Sequence, residues 1–577
     1  MAIGLRSAGA MWNRLELLLR HLRIAIRTLA RQPGFSIVSI VVIAFGIGAT
    51  VSLFTVVWSV LLKPLPFEHP EQLVRIDESS ERFPHNVVAP GVYAEWKRQS
   101  KSFTSIAIYN TWSQYSFSDG AALPERVRAT VCSWDLFPTL GVQPLIGRSF
   151  TPEDDKPSAN ATVIINWSLW QRRFGGERSV IGRKIDLDAK PYTIIGVMPR
   201  WFAALIPEQD VQIFLPVYHQ RTTDEMSEVD NHQFVAVGRL KPGVTREQAT
   251  EELSAIAKRI HAERRGSDLA STGAAIRPLI DYLVGDLRPA LYMLLGATAC
   301  MLLIACLNVA NLLTARSATR RREVAIRTAL GGGRLRLIRE QLTETLVLFS
   351  AGGGAGVALA YAALRWFVAT RGDIVRIDSI RIDAVVVATV AGLVLVCALF
   401  AGLVPVLASR SVNLAAVLQE SSRGSTGGLS RASLRKALVA VEVAFTVVLL
   451  VSAGLLLKSY KQLRSSDLGC ATDNILSMHF ALPDVHYKNP VRRVSFFDDL
   501  LARVRAMPGV EAAGLVRAVP GEGYFGDGTF TVAEHAPLPD GQTQLAIVRQ
   551  ADAGYFAAIG IPLLRGRTFD SNQRFDN

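Results

Sequence analysis

The chain has 577 residues, 49% of them apolar, with a mean hydropathy of +0.24; it is too long for one ordinary domain and too apolar for an ordinary soluble protein, so several units with membrane segments are expected. The formal net charge is +13; because its arginine clusters flank apolar runs, the excess is read as topology-setting cytoplasmic arginine and a nucleic-acid partner is set aside. Three of the five cysteines (Cys300, Cys306, Cys397) lie inside apolar runs, and no CxxC or zinc-spaced Cys/His group occurs, which excludes a disulfide scaffold and a metal site.

Residues 1–34 read as a cytoplasmic amphipathic segment carrying Arg14, Arg20, Arg23, Arg27 and Arg31. The apolar run 35–62 follows. It exceeds the ~20 residues a helix needs to cross a bilayer and the ~7–15 of a signal-peptide core, so it is predicted as a retained transmembrane helix. Gly46, Gly48 and Thr50 mark a small-residue face on it.

Residues 64–288 read as a mixed α/β domain. "ATVIINWSLWQRRFGG" (161–176) predicts a buried strand feeding a helix. "KIDLDAKPYTIIGVMP" (184–199) predicts a hairpin turning at Ala189-Lys190, "HQFVAVGRL" (232–240) a strand, and "REQATEELSAIAKRIHAE" (246–263) a helix. In "LFPTLGVQPLIGRSFT" (136–151), Gly147 fits a turn and Phe150 a core anchor. Arg148 as an anion site is the weaker alternative.

Three runs, 290–314, 342–370 and 384–408, predict three more transmembrane helices, and 437–457 a fifth. Asn308 and Asn311 share a face of the second span and are expected to hydrogen-bond across helices. "AGGGAG" in the third holds Gly352 and Gly356 at GxxxG spacing, either a sliding interface or static close packing. Pro405 predicts a kink in the fourth span. Glu442 in the fifth is a functional candidate as an intramembrane carboxylate, although an interfacial position near Lys436 is the favoured reading. Loop 315–341 and linker 409–436 are Arg-rich, whereas 371–381 is balanced in charge. The positive-inside rule then places the N-terminus, 315–341 and 409–436 in the cytoplasm, and 64–288 and 462–577 outside.

Within 315–341, "RRREVAIRTALGGGRLRLIREQL" gives a short apolar stripe (Val324, Ala325, Ile326, Leu330), a glycine break and a restart. A helix docking in a groove of a cytoplasmic partner and a helix lying on anionic lipid both fit. After the fifth span, "NILSMHFALP" (474–483) and "EAAGLVRAVP" (511–520) predict strands around an amphipathic helix in 489–510. "YFAAIGIPLLRGRTFD" (555–570) repeats the earlier phrase without a gap: Phe137 matches Phe556, Gly141 matches Gly560 and Gly147 matches Gly566. No GxxxxGK[ST], GxSxG or HExxH occurs, so neither catalysis nor a cofactor is expected.

The order of one span, a large outside domain and three clustered spans, with "RRREVAIRTALGGGRLRLIREQL" between the first two of those three, resembles the MacB/FtsX-type permeases of ABC transporters. "PGFSIVSIVVIAFGIGATVSLFTVVWSVLLKPLPFEHPEQLVRI" (33–76) is similar to the N-terminal signature of their duplicated orphan members, and "GVQPLIGRSFTPEDD" and "YTIIGVMP" resemble their periplasmic core domain. The resemblance implies a multi-pass α-helical protein of the bacterial inner membrane with extracytoplasmic mixed α/β domains. It also implies a separate cytoplasmic ATPase that docks on Arg322, Glu323, Ile326, Arg327, Ala329, Leu330 and Gly331. Efflux or envelope substrate handling with a periplasmic adaptor follows from it. The alternative is a non-transporting mechanotransducer or scaffold for an envelope enzyme such as a cell-wall hydrolase. Duplicated members have eight spans and two complete outside domains; the expectation here is five spans and a second domain, 462–577, that is incomplete.

Overall fold

The structure is a computed structural model. It describes residues 20–569 apart from 21, 82, 121–122, 204–210, 264–272, 320–333, 371–379, 409–428, 466–468, 472, 481, 483–486, 488, 521–526, 531 and 533–543. Two compact units form, with boundaries after Pro64, Leu283 and Lys461.

The first unit is helical. Its spans are Pro33–Val57, extended by a π-helical turn at Trp58–Leu62, then Arg288–Thr319, Arg334–Thr370, Ala384–Ala408 and Leu429–Arg464. All five are long and apolar enough to cross a membrane. A helix satisfies its own backbone groups, which is what an apolar run needs where no water can do so. The helices of the second and third spans continue beyond the apolar runs, to Thr319 and from Arg334, into the loop read from sequence as 315–341. The fourth is helical through Pro405. Spans one to four bury a common core around Ile47, Val51, Val309, Phe349, Val386 and Ala401.

In the second unit, residues 65–283 form the mixed α/β domain. Its strands are β1 (Leu73–Ser79), β2 (Phe103–Ser118), β3 (Glu125–Cys132), β4 (Ile146–Gly147), β5 (Thr162–Ile165), β6 (Lys184–Leu187), β7 (Lys190–Val197), β8 (Ile213–Pro216), β9 (Val235–Leu240) and β10 (Gly273–Pro278). They form one sheet in the order β10-β1-β9-β2-β3-β8-β5-β7-β4, with β6 pairing β2 and β7. The β3–β8 and β5–β7 pairs are parallel. The helices α1 (Pro90–Gln99), α2 (Leu136–Leu140), α3 (Trp167–Phe174) and α4 (Arg246–Glu263) pack on it. Ala249, Leu253, Ile256, Ala257 and Ile260 recur at three- and four-residue spacing, so α4 buries one stripe. That stripe and Trp96 of α1 share a core with Phe103 and Phe234, and the Trp96 indole donates to the Leu253 carbonyl at 3.1 Å. A second core lies under α3, where Leu169 meets Phe117, Val127, Ile194 and Leu215. Asn166 caps α3 by accepting from the Leu169 amide at 2.7 Å.

Two local details differ from the sequence reading. The β6–β7 hairpin turns one residue earlier than expected, at Asp188 and Ala189, with φ of 50° and 61° and Leu187 opposite Lys190. Two left-handed residues match the twist of the flanking strands, and the Asp188 carboxylate holds the turn by accepting from the Ser116 amide at 2.9 Å. Arg148 has its charge answered within the domain: its guanidinium grips Asp154 through two contacts of 2.5 and 2.9 Å. Burial alone would raise the Asp154 carboxyl, but the Arg148 guanidinium and the Thr151 donors outweigh it and hold it below the usual carboxylate range.

In the segment after the fifth span, α5 (Pro490–Arg505) is capped by Asn489 and ends before Gly509, whose φ is +88°. The strands expected over 474–483 and 511–520 do not form among the described residues. Leu476 is 85% exposed, and 511–520 contributes only the isolated bridge of Val516 to Ala551. The reason is partnership. β1 lies between β9 and β10, whereas no described strand lies beside 474–483, and an unpaired extended segment leaves its backbone groups to water. Among the described residues of this segment, the ladder joins β11 (Asp527–Phe530) to β12 (Gln544–Ile547).

The repeated phrase folds alike both times. Gly141 and Gly560 have φ of +69° and +67°, and Gly147 and Gly566 +82° and +87°. The Val142 amide donates to Phe137 and the Ile561 amide to Phe556, both at 2.9 Å. The Ile108 amide donates to the Ser133 hydroxyl at 3.0 Å, and the Leu515 amide donates to the Asp552 carboxylate at 2.8 Å. In return the Ser133 and Asp552 amides donate to the Ile108 and Leu515 carbonyls, both at 3.0 Å.

Candidate transmission site in the membrane helices

Gly48 and Gly356 bring the backbones of the first and third spans together. A Cβ added to Gly356 would stand 2.9 Å from the Ala44 carbonyl oxygen and 3.0 Å from the Gly48 nitrogen. One turn earlier, a Cβ on Gly352 would meet Ile43 at 2.6 Å. The GxxxG spacing therefore lines one face of the third span that the first span fills, with packing in place of a hydrophobic driving force.

Gly46 and Gly48 do not share one interface. They are two residues apart on a helix and so point to different sides. A Cβ on Gly46 would meet Ala305 of the second span at 2.9 Å. Thr50, one turn on, donates to Gly46 and to Thr298 of the second span, at 2.9 and 3.3 Å. The first span is thus wedged between the second and third. Two further glycine contacts were not singled out from sequence: Gly353 against Val394 at 2.6 Å, and Gly402 against Leu342 at 2.9 Å. A glycine in an apolar run does not reveal which neighbour needs it.

Asn308 and Asn311 are half-buried. Neither amide hydrogen-bonds a described residue, so the structure does not bring them to a partner on spans one to four. Arg322, Glu323, Ile326, Arg327, Ala329, Leu330 and Gly331 lie outside the described residues.

The C-terminal end of the first span and the N-terminal end of the fourth meet at a carboxylate that sequence reasoning missed. Asp383 Oδ2 accepts from the Trp58 indole at 3.1 Å and pairs with Lys63 at 3.3 Å. Its Oδ1 accepts from the Val386 amide at 3.2 Å, which caps the fourth span. The π-helical turn at Trp58–Leu62 immediately precedes Lys63. An Asp directly before an apolar run is an N-cap signal and could have flagged the residue. We expect Asp383→Ala to cost about 1 kcal/mol for the lost cap; the half-exposed Lys63 pair adds less than about 1 kcal/mol. Asp383→Asn should retain most of this. Thermal unfolding of the two variants in mild detergent checks the difference, and equal melting would remove the capping role.

Among the described residues no group of His, Cys, Asp and Glu could hold a metal ion, and all five cysteines are free.

The family model described as "MacB-like periplasmic core domain" matches residues 36–256. That described as "FtsX-like permease C-terminal" matches 295–414. The pyoverdine export ATP-binding/permease protein PvdT of Pseudomonas savastanoi pv. phaseolicola is 27% identical over 39% of this chain and 33% of its own length. The macrolide export ATP-binding/permease protein MacB of Aggregatibacter actinomycetemcomitans is 22% identical over 45% of this chain and 36% of its own. The chain thus spans about a third of the length of the curated relatives it matches. The crystal structure of the periplasmic region of MacB from Actinobacillus actinomycetemcomitans aligns over 38% of this chain and 92% of that chain, at 14% identity and a TM-score of 0.28. With five membrane-spanning helices, a mixed α/β domain after the first of them and matches to both characteristic regions, the chain belongs to the MacB/FtsX-type permeases of ABC transporters.

Proposed function

We propose that this chain is a permease subunit that couples ATP hydrolysis by a separate cytoplasmic ATPase to movement of its outside domains, in efflux or envelope substrate handling. The observation that carries this reading is the backbone contact between Gly48 and Gly356. The Arg-rich loop runs directly into the third span, and the first span runs directly into the outside domain. A displacement at the loop therefore reaches the first span through atoms that have no side chain to absorb it. The ATPase docks on Arg322, Glu323, Ile326, Arg327, Ala329, Leu330 and Gly331, with the N-terminus on the same cytoplasmic side. Pyoverdine export and macrolide export, in the names of the relatives, support export as the work, with a periplasmic adaptor as a further partner. Residues 462–577 act as a second copy of the outside domain, which the recurring turn geometry supports.

Affinity purification of the full chain from mild detergent tests the coupling. An ATPase should co-purify with the wild type, and Glu323→Lys or Ile326→Asp should cut its recovery about tenfold or more, as loss of a central anchor does. Equal recovery from all three would sink the docking claim.

A further inference from the structure

Two adjacent carboxylates of β1, Asp77 and Glu78, are both fully buried and, as neighbours on a strand, point to opposite faces. Asp77 has two guanidinium partners: Arg75 and Arg277 both pair with it, Arg277 at 3.1 Å, and the exposed His85 ring also reaches it at 3.3 Å. Glu78 is served differently. Its Oε1 accepts from the Ala89 amide at 2.7 Å, immediately before α1. Its Oε2 faces Nε2 of His232 at 3.3 Å, and the His232 side chain is only 9% exposed.

The other ring nitrogen of His232, Nδ1, faces the Asp230 main-chain carbonyl at 3.1 Å. Both partners of the ring are therefore acceptors. A neutral imidazole has one N–H and one lone pair, so either tautomer turns a lone pair on an oxygen; only imidazolium donates at both nitrogens. The site is built for the charged ring. Burial alone would lower the His232 pKa, but the Glu78 carboxylate and the Asp230 carbonyl, with the Asp230 carboxylate adding to them, outweigh it and hold it above the usual histidine range. Neighbouring charges are engaged elsewhere: Arg221 with Gln233 and Glu225, and Glu228 with Asn231.

The ring stands at a seam between two segments, 86–91 and 228–234. The Val88 and Phe234 amides donate to each other's carbonyls at 2.7 and 3.1 Å, and the Gly91 amide donates to Glu228 at 2.7 Å. A Cβ on Gly91 would lie 2.6 Å from the Ser227 carbonyl oxygen, so the second segment lies directly on the start of α1. Beneath the seam, Val88 and Phe234 join the core of Trp96.

We propose that His232 and Glu78 form a pH-sensitive clamp: the protonated ring locks 228–234 onto β1 and the start of α1, and loss of its proton loosens the seam. The sign follows from a histidine raised in the folded state. Its stabilisation is fully present below the unfolded value of about 6.5 and is lost as pH rises through the higher folded value. His85 cannot substitute, because it serves the other carboxylate, which already has two arginines. The clamp lies within the α/β domain and does not rest on the coupling to an ATPase.

Hydrogen exchange on the full chain in mild detergent tests it, read as protection factors so that the pH dependence of the intrinsic rate is removed. From about pH 6 to about pH 9, a range that brackets the ordinary histidine value, protection of the Val88, Gly91 and Phe234 amides should fall about tenfold or more in the wild type, as loss of one charge-assisted hydrogen bond does. Protection within α3, which carries no titrating contact to this ring, should stay level. His232→Gln, which cannot take up the proton, should abolish the pH dependence at the seam, and His85→Gln should leave it intact. A level wild-type profile overturns the proposal without recourse to any variant. So does a fall in His232→Gln equal to that of the wild type, or its disappearance in His85→Gln.

Discussion

Gly356→Leu is expected to force the first and third spans apart and to leave little folded protein at temperatures the wild type tolerates. The new Cβ would lie 2.9 Å from the Ala44 carbonyl oxygen and 3.0 Å from the Gly48 nitrogen. Both obstacles are backbone, so no rotamer change relieves them, and the rest of the leucine has still to be housed. Overpacking a close-packed core costs about 1–3 kcal/mol when side chains can adjust; a clash with a helix backbone belongs at or above the top of that range. The control lies two residues away. A Cβ on Gly354 meets nothing within 4 Å, so Gly354→Leu changes hydropathy equally while touching no helix. Thermal unfolding of both variants in the same detergent separates packing from composition. Similar melting of the two would show that the glycine contact contributes nothing.

Gly147→Ala and Gly566→Ala should differ widely although the two glycines occupy matching places in the repeated phrase. Both have φ above +80°, and an L side chain there costs about 1 kcal/mol or somewhat more. Only Gly147 carries a second penalty, because its Cβ would lie 2.1 Å from the Ile195 carbonyl oxygen and 2.9 Å from the Gly196 Cα. Those atoms belong to β7, against which β4 is paired, so the strands must separate. The substitution at 147 should therefore cost about 3 kcal/mol or more, in the class of severe backbone effects, whereas at 566 nothing lies within 4 Å. Hydrogen exchange on the full chain provides the readout. Protection of the Arg148 amide, which donates to Ile195 at 2.9 Å, should collapse in Gly147→Ala, while that of the Ile561 amide, which donates to Phe556 at 2.9 Å, should persist in Gly566→Ala. Equal loss at both sites would mean that the left-handed φ, rather than the neighbouring strand, makes glycine necessary.

These two cases show how far the sequence reaches. Five spans were legible because length and apolar content alone decide whether a helix crosses a bilayer. The bounds of α4 were legible because its apolar spacing is local. The β6–β7 turn was misplaced by one residue because the deciding contact, Asp188 to the Ser116 amide, comes from a strand distant in sequence. The strands expected over 474–483 and 511–520 failed for a related reason, since alternation specifies a side-chain face but not the presence of a neighbouring edge. The clamp at Asp383 was overlooked because its partners, Trp58 and Lys63, lie more than 300 residues earlier in the chain.

By itself, then, the amino-acid order determined the number of spans, the mixed α/β character of the outside domain and the recurrence of one turn-bearing phrase. Each depends on hydropathy, local periodicity or the left-handed freedom of glycine, which act within a few residues. Tertiary structure alone decided that Gly46 faces the second span and Gly48 the third, that Arg148 is spent on Asp154, and that Gly147 is hemmed in where Gly566 is not. Those outcomes depend on which surface arrives opposite a residue, and close packing of distant segments sets that rather than any property of the residue alone.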